Sequence, residues 1–115
     1  MTVFEPGAIV HAPFPHVERA VIVRRPALIL ATFDTQDTGI GPLAWALMIT
    51  NAARPAWRGD VLIPDAESIG LLIPSKVRTA KVTTIATGDA IRIGRLDGRV
   101  WTEVRSIVLD ALDIC

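Results

Sequence analysis

Apolar positions along the chain fall into short runs closed by proline and glycine, and only the last segment carries a helical period. Ala8-Ile9-Val10-His11-Ala12, inside Gly7–Phe14 and stopped by Pro13 and Pro15, reads as a first strand. Val21–Arg25 approaches a second, carried through Pro26–Phe33 by the unbroken run Ala27-Leu28-Ile29-Leu30-Ala31, the pattern of a strand buried on both faces. Asp34–Gly41 is polar with two glycines, a loop. Leu43–Thr50 fits a third strand or a short buried helix, Asp60–Ile63 a short strand ended by Pro64, and Asp65–Ser68 a loop. Lys76–Ile85 reads as a strand with Val77, Thr79 and Lys81 alternating against Arg78, Ala80 and Val82, and Ile91–Ile93 adds one more. After Asp97, whose carboxylate can accept from the free amides of a first helical turn, Val100, Trp101, Val104, Ile107, Val108, Ala111 and Leu112 recur as one stripe. The pattern predicts a mainly β fold with helical additions (α+β): a small, strongly bent barrel with a C-terminal amphipathic helix at about 98–112.

No repeat, low-complexity tract or linker divides residues 1–115, so a single domain is expected, with a radius of gyration of roughly 13 Å. Half of the side chains are apolar, which excludes intrinsic disorder because ordering entropy can be offset by burial. Cys115 has no intrachain partner, which excludes a disulfide scaffold. The longest near-uninterrupted apolar run, Ile40–Ile49, falls short of the roughly 18 residues a membrane helix needs, and no secretory signal pattern opens the chain. These features predict a soluble, cytoplasmic protein without a membrane partner.

Charge balances at 12 Lys+Arg against 12 Asp+Glu, which by itself argues against nucleic acid. The distribution reopens the question: bases gather in Arg19–Arg25, Arg54–Arg58, Lys76–Lys81 and Arg92–Arg99, and a fold that joins them makes a positive face on a neutral molecule. Metal-ligand spacing is absent, since the two histidines lie five residues apart with no cysteine near, and no cofactor is expected. No phosphate-binding glycine loop and no nucleophile elbow occurs. What remains is a set of strand-end polar groups. Arg24-Arg25-Pro26 fixes a guanidinium where an apolar strand begins, suited to a two-donor clamp on phosphate. Thr50-Asn51 closes the Leu43–Ile49 run with a hydroxyl and an amide that can face a site or cap the strand locally. Ser75, Lys76 and Arg78 place hydroxyl, ammonium and guanidinium groups in one segment, with Lys76 and Arg78 on the same side. His16 lies in a proline-flanked loop, and Trp57 stands between Arg54 and Arg58, where it can stack on a base or fold back on the core.

Taken in order, these segments carry a resemblance. Gly7-Ala8-Ile9-Val10 with Pro13-Phe14-Pro15, Arg24-Arg25-Pro26-Ala27-Leu28-Ile29-Leu30, Ile49-Thr50, Gly70-Leu71-Leu72-Ile73-Pro74-Ser75-Lys76-Val77-Arg78 and Ile93-Gly94-Arg95-Leu96 together resemble the MazF/PemK toxins of type II toxin–antitoxin modules. Each segment is weak alone; five in order across roughly residues 6–112 are specific. The resemblance implies an SH3-like barrel, a homodimer, and a metal-independent, sequence-specific endoribonuclease on single-stranded RNA, held in check by an antitoxin whose C-terminal segment crosses the RNA groove. It places Arg25 on the family's catalytic arginine and Thr50 on its catalytic threonine. It sets His16 in a loop that contacts RNA in some relatives, and Arg78 on an arginine used near the scissile phosphate. Arg24, Asn51, Arg54, Ser75 and Lys76 complete the candidate substrate-binding set.

The sequence also departs from the family. Ala8 stands where an acid is usual, Asn51 where a small residue often follows the threonine, and Ala80 where some relatives place an aspartate proposed as general base. His16 or Glu18 would then have to supply the base. The alternative is a catalytically weak or inactive module of the same fold that binds RNA or an antitoxin peptide.

Overall fold

The computed structural model describes residues 4–15, 22–35, 39 and 41–113. Six strands, β1 (Ala8–Pro15), β2 (Ile22–Phe33), β3 (Leu43–Asn51), β4 (Asp60–Ile63), β5 (Ser75–Ala86) and β6 (Ile91–Arg95), precede one helix, α1 (Gly98–Ala111). They form one antiparallel sheet in the order β4-β5-β3-β2-β1-β6. Leu43–Thr50, compatible by pattern with strand or helix, is strand. Asp65–Ser68, expected as plain loop, overlaps a 3-10 turn over Ala66–Ile69, started by Asp65 in the left-handed region and ended by Gly70.

The sheet curls until its two edges come together. Gly94 on the β6 edge lies so close to the 3-10 turn following β4 that an added Cβ would be 2.4 Å from the Ile69 carbonyl oxygen. This seam gives the small bent architecture expected from short strands with Gly and Pro turns. The radius of gyration, 14.0 Å, agrees with the estimate from length.

Alternation along the strands sorts the core into two clusters. Ile9, Leu28, Leu47, Ile49, Val61 and Val77 point to one side and are covered by Leu96, Val100 and Val104. Ala8, Val10, Ala12, Ala27, Ile29, Ala44 and Ala46 point to the other, joined by Phe4, Phe14, Ile85 and Ala90. Helix α1 starts where the sequence indicates: the Asp97 carboxylate accepts from the Arg99 amide at 2.7 Å. Its stripe is only partly used. Val100 and Val104 are buried and Trp101, Ile107 and Val108 pack on the core, but Leu112, expected in the same stripe, is 61% exposed. It lies beyond the end of the covered surface, beside an open apolar groove of 590 Å³ lined by Trp45, Leu47, Val82 and Val108.

The even alternation expected over Lys76–Ile85 does not hold. Met48 pairs with Arg78 but Leu47 pairs with Val82, so Thr79, Ala80 and Lys81 form a bulge. Thr79 is anchored there by donating its hydroxyl to the Gly59 carbonyl at 2.7 Å.

Candidate functional site

Strand register brings Arg25 and Thr50 to facing positions on adjacent strands. The last β2–β3 pair is Ala27 with Met48, and two residues further along the same register sets Arg25 opposite Thr50. Arg25 pairs with Ala12 on its other side, and Thr50 with Lys76. Directly opposed residues project to the same side of a sheet, so one row carries Ala12, Arg25, Thr50 and Lys76 across four strands. It lies on the side of the alanine cluster, opposite the helix. Arg25 and Thr50 are half-buried, and neither side chain has a hydrogen-bond or ion-pair partner among the described residues. Pro26 keeps the Arg25 backbone extended, so its side chain leaves the strand on the same face as that of Thr50.

Lys76 and Arg78 lie on the same side as expected, but their charges are already engaged. Both are buried, at 4% and 8% exposure, around the Asp60 carboxylate. Arg78 donates from Nε to Asp60 Oδ1 at 3.2 Å and from Nη2 to Oδ2 at 3.1 Å; Lys76 Nζ lies 3.2 Å from Oδ2. The remaining donors hold the β3–β4 loop: Lys76 Nζ to the Arg54 carbonyl at 2.6 Å, and Arg78 Nη2 to the Pro55 carbonyl at 2.7 Å. Burial pushes the Asp60 carboxyl up, but hydrogen bonds from Arg78, the Trp57 amide and Lys76 outweigh it and bring it down to about 2. Two cations around one carboxylate leave a net positive charge under the loop.

The other candidates separate. Arg24 alternates to the opposite side of β2 from Arg25 and reaches the carbonyls of His11, at 3.5 Å, and Asp89, at 3.4 Å. Ser75 is buried and donates to the Ile73 carbonyl at 2.7 Å, and the Asn51 side chain accepts from the Ala53 amide at 2.8 Å, both local strand-end contacts. The Arg54 side chain is exposed on the loop. His16 and Glu18 lie outside the described residues. Sequence reasoning missed Asp60, which entered only as the first residue of a short strand. Its only signal is a carboxylate at the start of a short strand, and that becomes informative once β4 is known to pair with β5.

A mainly β chain of this topology, with an arginine and a threonine presented from adjacent strands, has the MazF-like fold. Residues 5–112 match the family described as "PemK-like, MazF-like toxin of type II toxin-antitoxin system", and the chain belongs to that family. The fold is shared with MazF of Deinococcus radiodurans, which is 22% identical with a TM-score of 0.74, over 99% of this chain and 100% of that one. It is shared with the D. radiodurans MazE-MazF structure at 21% identity and a TM-score of 0.72, over the whole of both chains. It also matches the Mycobacterium tuberculosis toxin MazF-mt6 at 21% identity and a TM-score of 0.64, over 96% and 99%. No curated protein matches the sequence at a significant level. Among the described residues no helix is long and apolar enough to cross a membrane.

Proposed function

We propose that this toxin is a sequence-specific endoribonuclease that cleaves single-stranded RNA without a metal ion, using Arg25 and Thr50. The observation that carries the reading is the row that sets a guanidinium and a hydroxyl, neither with a hydrogen-bond or ion-pair partner among the described residues, on one face of adjacent strands. RNA brings its own nucleophile. The 2′-hydroxyl loses its proton to a base and attacks the adjacent phosphorus, while the bond to the 5′-oxygen breaks and that oxygen takes up a proton. The products are a 2′,3′-cyclic phosphate and a free 5′-hydroxyl. Arg25 donates to the phosphorane oxygens and to the leaving 5′-oxygen, and Thr50 orients the phosphate through its hydroxyl. His16 and Glu18 are the candidates for the base, since Ala80 carries no acid and lies in the β5 bulge.

Two partners accompany the reading. The exposed groove around Trp45, Val82 and Leu112 supports a homodimer, which would cover it. The MazE-MazF structures of D. radiodurans support an antitoxin as the regulator.

The test is incubation of the purified protein with a mixed RNA substrate in chelator, followed by mapping of the new ends. Cleavage at a recurrent motif with cyclic-phosphate ends is expected; no cleavage, or cleavage only with added metal, would discard the mechanism. The engagement of Lys76 and Arg78 by Asp60 and by the loop carbonyls favours a second reading, a module that binds RNA or an antitoxin peptide without cleaving. RNA binding with no cleavage would select it.

A further inference from the structure

The loop that leaves β3 one residue after Thr50 presents a single aromatic side chain, Trp57, and presents it on a rigid mount. Its amide donates to Asp60 Oδ2 at 2.9 Å and its carbonyl accepts from the Asp60 amide at 3.1 Å, closing a tight turn. The Arg78 guanidinium carbon lies 4.0 Å from the ring centroid, so one face of the indole rests on a cation. That cation is itself held by Asp60 and the Pro55 carbonyl. Trp57 is nevertheless 45% exposed. Lys81 Nζ stands 6.0 Å from the centroid, and Arg58 is exposed next in the chain.

A braced, partly exposed aromatic plane with Lys81 Nζ 6.0 Å from its centroid and exposed Arg58 next in the chain fits an unpaired nucleobase with its flanking phosphates. Bases of single strands stack on aromatic side chains with little regard to sequence, and the cations neutralise the backbone. A side chain already ordered before binding loses little entropy when a base lands on it. If Trp57 served only to cover Arg78, any large apolar side chain would do as well, and that difference is measurable.

We propose that Trp57 is a stacking platform for one unpaired base of a single-stranded RNA lying across Arg25 and Thr50, with Lys81 and Arg58 meeting the adjacent phosphates. The proposal rests on the RNA reading above and adds a binding residue to it.

The experiment compares the full-length protein with Trp57→Leu, which keeps an apolar cover, and Trp57→Phe, which keeps a smaller ring. The probe for binding is a short mixed-sequence single-stranded RNA pool with 2′-fluoro groups, which cannot be cleaved. Unfolding midpoints confirm that each variant is folded. Trp57→Leu is expected to weaken binding by about 5- to 150-fold and to raise KM for cleaved RNA with kcat little changed. Trp57→Phe should recover most of the affinity. The pool should quench tryptophan fluorescence of the parent protein, with that quenching lost in Trp57→Phe. Parent-like binding by folded Trp57→Leu would overturn the proposal and leave the RNA reading standing. Loss of affinity for an antitoxin peptide alone, with RNA affinity intact, would overturn it in favour of a protein-facing role. A parent protein that neither binds nor cleaves RNA would remove the RNA reading and the platform with it.

Discussion

Asp60 and Arg78 face each other directly across the β4–β5 pairing, and the carboxylate receives two hydrogen bonds from the guanidinium. Lys76 joins them from two residues away on the same strand face. A carboxylate so placed compensates two buried cations at once. Replacing it with alanine leaves both uncompensated and frees the Trp57 turn. Asp60→Ala is expected to cost about 3–5 kcal/mol of stability, read from the urea unfolding midpoint.

The same carboxylate sets an acid limit. Its folded-state pKa of about 2 is below the ordinary 3.8, so the stability it contributes is present above about pH 4 and is lost as pH falls through about 2. Glu5 is also lowered to about 2, by hydrogen bonding from Arg92, but that pair is substantially exposed and weighs less. Unfolding followed from pH 5 downward should therefore show a steep loss near about pH 4 to 2 in the parent protein. The slope should flatten in Asp60→Asn and change little in Glu5→Gln.

Arg25 and Thr50 should separate from this scaffold. Both are only half-buried and hold nothing else in place among the described residues, so Arg25→Ala and Thr50→Ala should unfold at nearly the parent midpoint. Loss of the charged donor should lower kcat for RNA cleavage by about 10²–10³, and expression of Arg25→Ala should no longer arrest growth. Unchanged cleavage in both variants would remove the assignment.

Closure of the sheet depends on Gly94. A methyl group there meets the Ile69 carbonyl oxygen at 2.4 Å, a backbone atom that cannot turn aside. Gly94→Ala is expected to destabilise by about 1–3 kcal/mol, visible as a lower thermal midpoint. Gly98→Ala, where nothing lies within reach, should not.

Local chemistry made much of this readable from sequence. Pro64 stops β4, Asp97 caps α1, and Val100 and Val104 announce the buried stripe, because each acts on its own neighbours. Arg25 and Thr50 were readable as strand-end groups, and their juxtaposition follows once β2 and β3 pair. The Asp60 cluster was not readable. Its members are 16 and 18 residues apart, and only the register of a four-residue strand decides that they meet. Leu112 misled for the opposite reason: its position in the helical period is correct, but among the described residues the surface that the period implies does not cover it.

The bulge at Thr79–Lys81 shifts the β3–β5 register by three, an odd number, and an odd shift inverts sidedness. Before it, even-numbered residues carry ammonium and guanidinium toward Asp60; after it, even-numbered Val82 and Thr84 line the apolar groove. A single strand is thereby split into two half-strands whose even-numbered side chains face opposite sides of the sheet. The length of that insert acts as a phase setting: removing one residue from it would rotate either half to the wrong surface without changing a single side chain's identity.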